Sequence, residues 1–158
     1  MKMFSLWVTT VLFVLSLAGC YAESDERTSL ELPNYTLIHF GQYLESGENT
    51  AKSLRILDTE AAYRNLLAQY STEGPIERTL EGKAVLLLDM GVRPNGGFNT
   101  VITRVIKNGD VTSIYIQNEV PDEECAVTTA VSNPYAFYLI DANSNYLFKE
   151  SQVSKSCS

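Results

Sequence analysis

Histidine, cysteine and basic residues are all scarce in this chain of 158 residues. It has one histidine, three cysteines, and 12 lysines and arginines against 19 aspartates and glutamates, which gives a formal net charge of −7. One histidine and three separate cysteines provide no recognisable set of zinc ligands, and an acidic chain is repelled by the phosphates of nucleic acid. We therefore expect no metal, no cofactor and no nucleic-acid partner.

Long apolar runs are also absent, except near the N-terminus. Lys2 precedes an apolar segment from Phe4 to Leu17, which is shorter than the roughly 20 residues that a membrane-spanning helix needs. The segment closes with residues 17–20 (LAGC), which resemble the lipobox of bacterial lipoproteins. An ordinary secretory signal with an unrelated cysteine is the alternative.

The lipobox has consequences for location. Residues 1–19 would be a cleaved signal peptide, Cys20 would carry lipid, and the polar residues 20–33 would form a flexible tether. Tyr21 follows the cysteine instead of the aspartate that favours retention at the inner membrane. We therefore expect a lipid-anchored protein of the bacterial cell envelope, at the outer membrane, with its domain on the periplasmic or surface face.

The other two cysteines form an even pair once Cys20 is assigned to lipid. Outside the cytosol such pairs are usually oxidised. We predict a disulfide between Cys125 and Cys157, which would tie the C-terminal tail to the loop after Pro121. Two free thiols are the alternative.

Residues 34–158 are expected to form one domain, mainly β with one helix (α+β). Asp58 or Thr59 can cap the helix, whose apolar residues recur at i, i+3, i+4 and i+7: Tyr63, Leu66, Leu67 and Tyr70. Strand patterns are found over residues 35–40, 53–57, 84–90, 98–106, 111–120, 135–140 and 146–148. The continuous apolar run of residues 84–90 suits a central strand buried on both faces.

Two turn sequences connect the later strands. Asn108-Gly109-Asp110 is a strong hairpin signal, and residues 143–145 (NSN) are expected to turn the strand over residues 135–140 into residues 146–148. Hairpins join antiparallel strands. We therefore predict an antiparallel β-sandwich or open barrel with the helix packed on the sheet.

Residues 91–98 (GVRPNGGF) join two predicted strands and are unusual in composition. Pro94 fixes one φ angle, while Gly91, Gly96 and Gly97 permit positive φ or close backbone approach. This combination predicts a rigid loop that presents Arg93 and Asn95 at the edge of the sheet.

This segment and its surroundings resemble the C-terminal domain of the PrcB family of protease complex subunits. The family pattern is a hydrophobic strand, Gly-x-Arg-Pro-Thr-Gly-Gly-Tyr, an alternating strand, a proline-containing loop and a late Pro-Tyr strand. The counterparts lie in residues 83–141, with Asn95 and Phe98 in place of the family's Thr and Tyr. The resemblance implies a lipoprotein that accompanies or stabilises a secreted or surface protease without doing chemistry itself.

We accordingly expect a non-catalytic protein that binds a protein partner. His39, inside an apolar strand, is expected to be structural, and no catalytic residue is assigned. The candidate contact residues are Arg93, Pro94, Asn95, Gly96, Gly97, Phe98, Pro134 and Tyr135. One alternative is a small-ligand-binding or enzymatic envelope lipoprotein with a pocket between sheet and helix. The other is an inhibitor resembling chagasin, whose loops are loosely comparable.

Overall fold

The computed structural model describes residues 34–48, 50–75, 80–143 and 145–156. These form β1 (Tyr35–Gly41), β2 (Ser53–Leu57), α1 (Glu60–Tyr70), β3 (Lys83–Asp89), β4 (Asn99–Asn108), β5 (Val111–Pro121), β6 (Tyr135–Asp141) and β7 (Asn145–Lys155). The predicted bounds are confirmed to within about two residues, except that the last strand is much longer than residues 146–148. The predicted signal peptide, Cys20, the tether and Cys157 lie outside the described residues.

The strands form two sheets, and β3 and β6 lie at the centre of the first. That sheet is antiparallel, with the strand order β1-β6-β3-β2, and the second sheet has the order β4-β5-β7. The helix packs on one face of the first sheet, and the second sheet covers the other face. The predicted mainly-β fold with one packed helix is confirmed. The described strands form a sandwich and no closed barrel.

Successive residues of β3 face opposite layers, and both layers bury them. Val85 and Leu87 pack on the helix side, whereas Leu86 and Leu88 pack against the second sheet, and each is at most 1% exposed. A strand covered on both faces gains from an apolar residue at every position. This explains the continuous apolar run of residues 84–88 within β3.

The helix begins after Thr59, whose side-chain oxygen accepts a hydrogen bond from the backbone nitrogen of Ala62 at 3.2 Å. Its buried residues are those at helical spacing: Tyr63, Leu66, Leu67 and Tyr70. The periodicity therefore identified the face that packs on the sheet. Within the described residues, no helix has the length and apolar character that crossing a membrane requires.

The predicted hairpin at residues 143–145 is wrong. After this turn the chain leaves the first sheet, and β7 pairs in parallel with β5, from Asn145 opposite Val111 to Lys155 opposite Pro121. Phe148 thereby lies beside Ile114 and packs on the core between the two sheets. The second sheet is consequently mixed rather than antiparallel, because its third strand arrives by a crossover.

Candidate functional site

The loop over residues 91–98 is fixed by hydrogen bonds to residues 128–132. Arg93 and Ser132 form an antiparallel bridge, with backbone N–H···O distances of 2.7 and 3.0 Å. The Gly96 nitrogen donates to the Thr128 carbonyl at 3.0 Å, and the Ser132 hydroxyl donates to the Asn95 carbonyl at 2.6 Å. These contacts hold the loop along most of its length.

Two of the loop glycines are required by geometry. Gly91 has a φ of 70°, and a Cβ there would lie 2.5 Å from the backbone nitrogen of Lys52. Gly97 has a φ of 87°, and its Cβ would lie 2.9 Å from a methyl group of Val127. Both positions combine positive φ with close approach, as the sequence predicted.

A buried carboxylate at the end of β3 holds the base of this loop. Asp89 is 1% exposed. Its Oδ1 accepts hydrogen bonds from the Gly91 nitrogen and the Asn133 side-chain amide, both at 2.7 Å. Its Oδ2 accepts from the hydroxyls of Thr50 at 2.7 Å and Tyr70 at 2.5 Å. One side chain thus joins the loop to the helix and to the segments before β2 and β6.

The partners of Asp89 are all neutral, so hydrogen bonding compensates its desolvation. Burial, together with the hydrogen bond to Asp89, raises the pKa of Tyr70 above its ordinary value. Tyr70 therefore remains protonated and keeps donating. Sequence reasoning missed this network, for which the only signal was an aspartate at the end of an otherwise apolar strand.

The candidate contact residues of the loop differ in exposure. Pro94 and Gly97 are exposed, Asn95 and Phe98 are half-buried, and Gly96 is buried. The half-buried Arg93 does not project from the edge as predicted. Its Nη2 donates to the Met90 carbonyl at 2.6 Å, and its Cζ lies 5.6 Å from the centre of the Phe98 ring.

The prediction that Pro134 and Tyr135 meet a partner is wrong, because both lie in the core. Pro134 is less than 2% exposed and Tyr135 is 6% exposed. The Tyr135 hydroxyl donates to the Tyr70 carbonyl at 2.8 Å, and the two rings pack edge to face with centroids 4.9 Å apart. These residues lead into the central strand β6, whose two faces are covered by the helix and by the second sheet.

An open groove with a volume of about 460 Å³ lies beside the loop. We call it the Phe98 groove. Phe98 and Pro121 provide apolar surface, while Glu119 and Lys155 form an ion pair at 2.9 Å. The hydrogen bond from Lys155 is the largest of the effects that hold the pKa of Glu119 below its ordinary value. The groove therefore offers an apolar wall next to a paired charge.

His39 is buried and engaged by neighbouring side chains, as expected of a histidine that stabilises the fold. It is 6% exposed, its Nε2 lies 2.8 Å from the Tyr63 hydroxyl, and its Nδ1 lies 3.1 Å from a carboxylate oxygen of Glu73. Both ring nitrogens are therefore engaged in joining β1 to the helical segment. Among the described residues, no group of three or more His, Cys, Asp or Glu side chains is placed to hold a metal ion.

The layer between helix and sheet is filled in the described part of the chain. Tyr63, Leu67 and Phe137, each at most 2% exposed, pack there with the other buried residues of this cluster. The alternative of a ligand pocket between sheet and helix stays a prediction.

Cys125 lies close to the end of β7. Its Sγ is 3.4 Å from the carbonyl oxygen of Lys155, and the nitrogen of Asp122 donates to the same oxygen at 3.1 Å. Because Cys157 is outside the described residues, the pairing of Cys125 with Cys157 stays a prediction.

Comparison with known proteins finds a similarity for one segment of the chain. No curated protein and no solved structure matches the chain significantly. A family model described as PrcB C-terminal matches residues 84–140. These residues run from β3 to β6 and include the loop of residues 91–98. Residues 84–140 are therefore similar to the PrcB C-terminal family.

Proposed function

We propose that this protein is a non-catalytic subunit that binds or stabilises a secreted or surface protease in the bacterial cell envelope. The PrcB C-terminal match supports association with a protease complex. His39 is the single histidine of the chain, and its ring nitrogens contact Tyr63 and Glu73. This supports the proposal that the subunit is not catalytic, because the imidazole is already used in packing.

The observation that supports this proposal most directly is that the 91–98 loop, which lies beside the Phe98 groove, is held in place by hydrogen bonds. A surface that is fixed before binding loses little conformational entropy when a partner docks.

We also propose the location that the N-terminal sequence predicts. Residues 1–19 are removed, Cys20 is lipidated, and residues 20–33 tether the domain of residues 34–158 to the outer membrane, on its periplasmic or surface face. Replacing Cys20 by alanine should move the protein from the membrane fraction to the soluble fraction. Retention in washed membranes would contradict the lipid anchor.

Partner binding is tested with the native lipoprotein, isolated by affinity from envelopes in mild detergent. We expect mass spectrometry to identify a protease in near-stoichiometric amount. Phe98→Ser should lower its recovery at least tenfold. Val92→Ser is the matched control, since Val92 is in the same loop and 41% exposed but does not line the Phe98 groove.

Two results would change this proposal. Failure to recover any protein above background from wild-type envelopes would refute the binding function. Recovery of a protease that is inactive while bound and regains activity on release would favour the inhibitor alternative over a stabilising subunit.

A further inference from the structure

The free edge of β1 differs from the other sheet edges in charge. In the described part of the chain, the edge strands are β1 and β2 in the first sheet and β4 and β7 in the second. The strands β2, β4 and β7 all contain charged residues: Arg55; Arg104 and Lys107; and Lys149, Glu150 and Lys155. The sequence of β1, YTLIHFG, contains no Asp, Glu, Lys or Arg. Charged side chains on edge strands discourage the addition of foreign strands, so β1 lacks this protection.

Two large apolar residues of β1 face outwards. Leu37 is 45% exposed and Phe40 is 72% exposed. A bulge between Leu37 and His39 turns both Ile38 and His39 toward the helix side of the sheet, where they contact the core. Leu37 and Phe40 are consequently left on the opposite side, next to β4.

Leu37 and Phe40 line a cleft of about 300 Å³ between β1 and β4, which we call the β1 cleft. Val101, Ala136 and Tyr138 form its other apolar walls, and every residue that lines it is uncharged. Gln42 borders both this cleft and the Phe98 groove. Its Oε1 is buried and accepts no hydrogen bond from the described residues.

From this arrangement we propose that an extended, uncharged segment of the partner protein adds to the free edge of β1 as a new strand. An incoming strand would satisfy edge backbone groups and would place alternate apolar side chains in the β1 cleft. The inference rests on the proposed function for the existence of a protein partner, and it adds where and how that partner binds.

The occupant is a different protein rather than a second copy of this chain. The full sequence carries a formal net charge of −7, so two copies of this acidic chain repel one another. The bulge also interrupts the regular spacing of β1, and a two-fold pair would meet this irregularity twice. A different protein with a short uncharged strand avoids this charge repulsion and meets the irregularity only once.

The test uses site-specific photocrosslinking of the full-length chain in cells. A benzophenone amino acid replaces Phe40 in one strain. In the control strain it replaces Leu147, which is 47% exposed on the strand β7 of the other sheet. We expect crosslinking of the partner from position 40 to exceed that from position 147 at least tenfold. Mass spectrometry should locate the crosslink in a partner segment free of Asp, Glu, Lys and Arg.

Charge insertion gives an independent measurement. Phe40→Lys should reduce recovery of the partner at least tenfold, while Leu147→Lys leaves it within twofold of wild type. Both positions are exposed, so both variants should retain the wild-type midpoint of thermal unfolding.

The outcomes separate the two proposals. Absence of any partner from wild-type cells would refute the binding function and the strand addition with it. Normal recovery of the partner by Phe40→Lys, or a crosslink from position 147 alone, would overturn only the docking edge. A crosslink from position 40 to a second copy of this chain would overturn the proposed occupant.

Discussion

Replacing Asp89 by alanine removes the acceptor for four hydrogen-bond donors, three of which are buried. The donors are the backbone nitrogen of Gly91, the side-chain amide of Asn133, and the hydroxyls of Thr50 and Tyr70, at distances between 2.5 and 2.7 Å. Asp89 is 1% exposed, so water cannot easily take its place. We expect the Asp89→Ala variant to be strongly destabilised.

The size of the loss in the free energy of unfolding depends on how many of these donors still have an acceptor in the variant. The Thr50 hydroxyl also lies 2.7 Å from Oδ1 of Asn133 and so retains an acceptor. Three donors remain, and a buried unsatisfied group costs about 1–3 kcal/mol. Removing a desolvated carboxylate offsets part of this cost. The expected net loss in the free energy of unfolding is about 3–5 kcal/mol, out of the roughly 5–15 kcal/mol typical of a domain.

Urea denaturation followed by far-ultraviolet circular dichroism measures this loss. Asp141→Ala is the control, since Asp141 is also in a strand of the first sheet but forms a partly exposed ion pair with Lys83. Its loss should stay within about 1 kcal/mol. A loss below about 1 kcal/mol for Asp89→Ala would refute the conclusion that this carboxylate holds the loop, the helix and the strand ends together.

Three further predictions concern the loop and the groove. Gly91→Ala should lower the free energy of unfolding by at least about 3 kcal/mol, because the new Cβ would meet backbone atoms. Gly109 has a φ of 59° but open space around it, so Gly109→Ala should lower the free energy of unfolding by only about 1–2 kcal/mol. Equal losses for the two variants in urea denaturation would contradict this prediction. Arg93→Ala should lower the free energy of unfolding by about 1.5–3 kcal/mol, because it removes a charged hydrogen bond. A loss within about 0.5 kcal/mol would instead show that Arg93 is an ordinary surface residue. Because the folded-state pKa of Glu119 is lowered by its lysine partner, its carboxylate stabilises the fold above the unfolded value of about 4.3 and loses this effect as pH falls. The stability advantage of wild type over Glu119→Gln, about 0.5–1 kcal/mol at pH 7, should therefore shrink as the pH is lowered below the unfolded value of about 4.3. A difference that stays constant as the pH falls would contradict the lowered pKa of Glu119.

Patterns confined to short stretches predicted most of the fold. The apolar run of β3 indicated burial on both faces, and the helical spacing from Tyr63 to Tyr70 identified the packed face of the helix. The Asn108-Gly109-Asp110 sequence correctly predicted the hairpin that joins β4 to β5. In each case the residues that determine the structure are close together in the sequence, so the pattern carries the information.

The course of β7 depends on distant residues and was not predictable in this way. Alternation at Tyr146 and Phe148 indicates a half-buried strand, but it does not specify which sheet the strand joins. The residues 143–145 suit a crossover as well as a hairpin. The strand β7 pairs with residues far away in the sequence, such as Ile114, which lies opposite Phe148 and belongs to the core cluster on which Phe148 packs.

The incorrect predictions about the candidate site have a similar cause. Tyr135 follows a proline and looks like an exposed aromatic, yet Tyr70 reaches it from the helix and accepts its hydrogen bond. Asp89 falls within the predicted apolar run of residues 84–90, whereas its four donors come from segments on both sides of it in the sequence. Contacts of this kind are visible only once the chain has folded.

The parallel course of β7 has a consequence for oxidative folding. Parallel neighbours leave a sheet at the same end, and Lys155 lies opposite Pro121. Cys125 follows Pro121 closely and Cys157 follows Lys155 closely in the sequence, whereas a last strand running the other way would have carried the two thiols to opposite ends. Correct crossover should therefore precede formation of the predicted Cys125–Cys157 disulfide, and that disulfide would hold the end of β7 beside the end of β5.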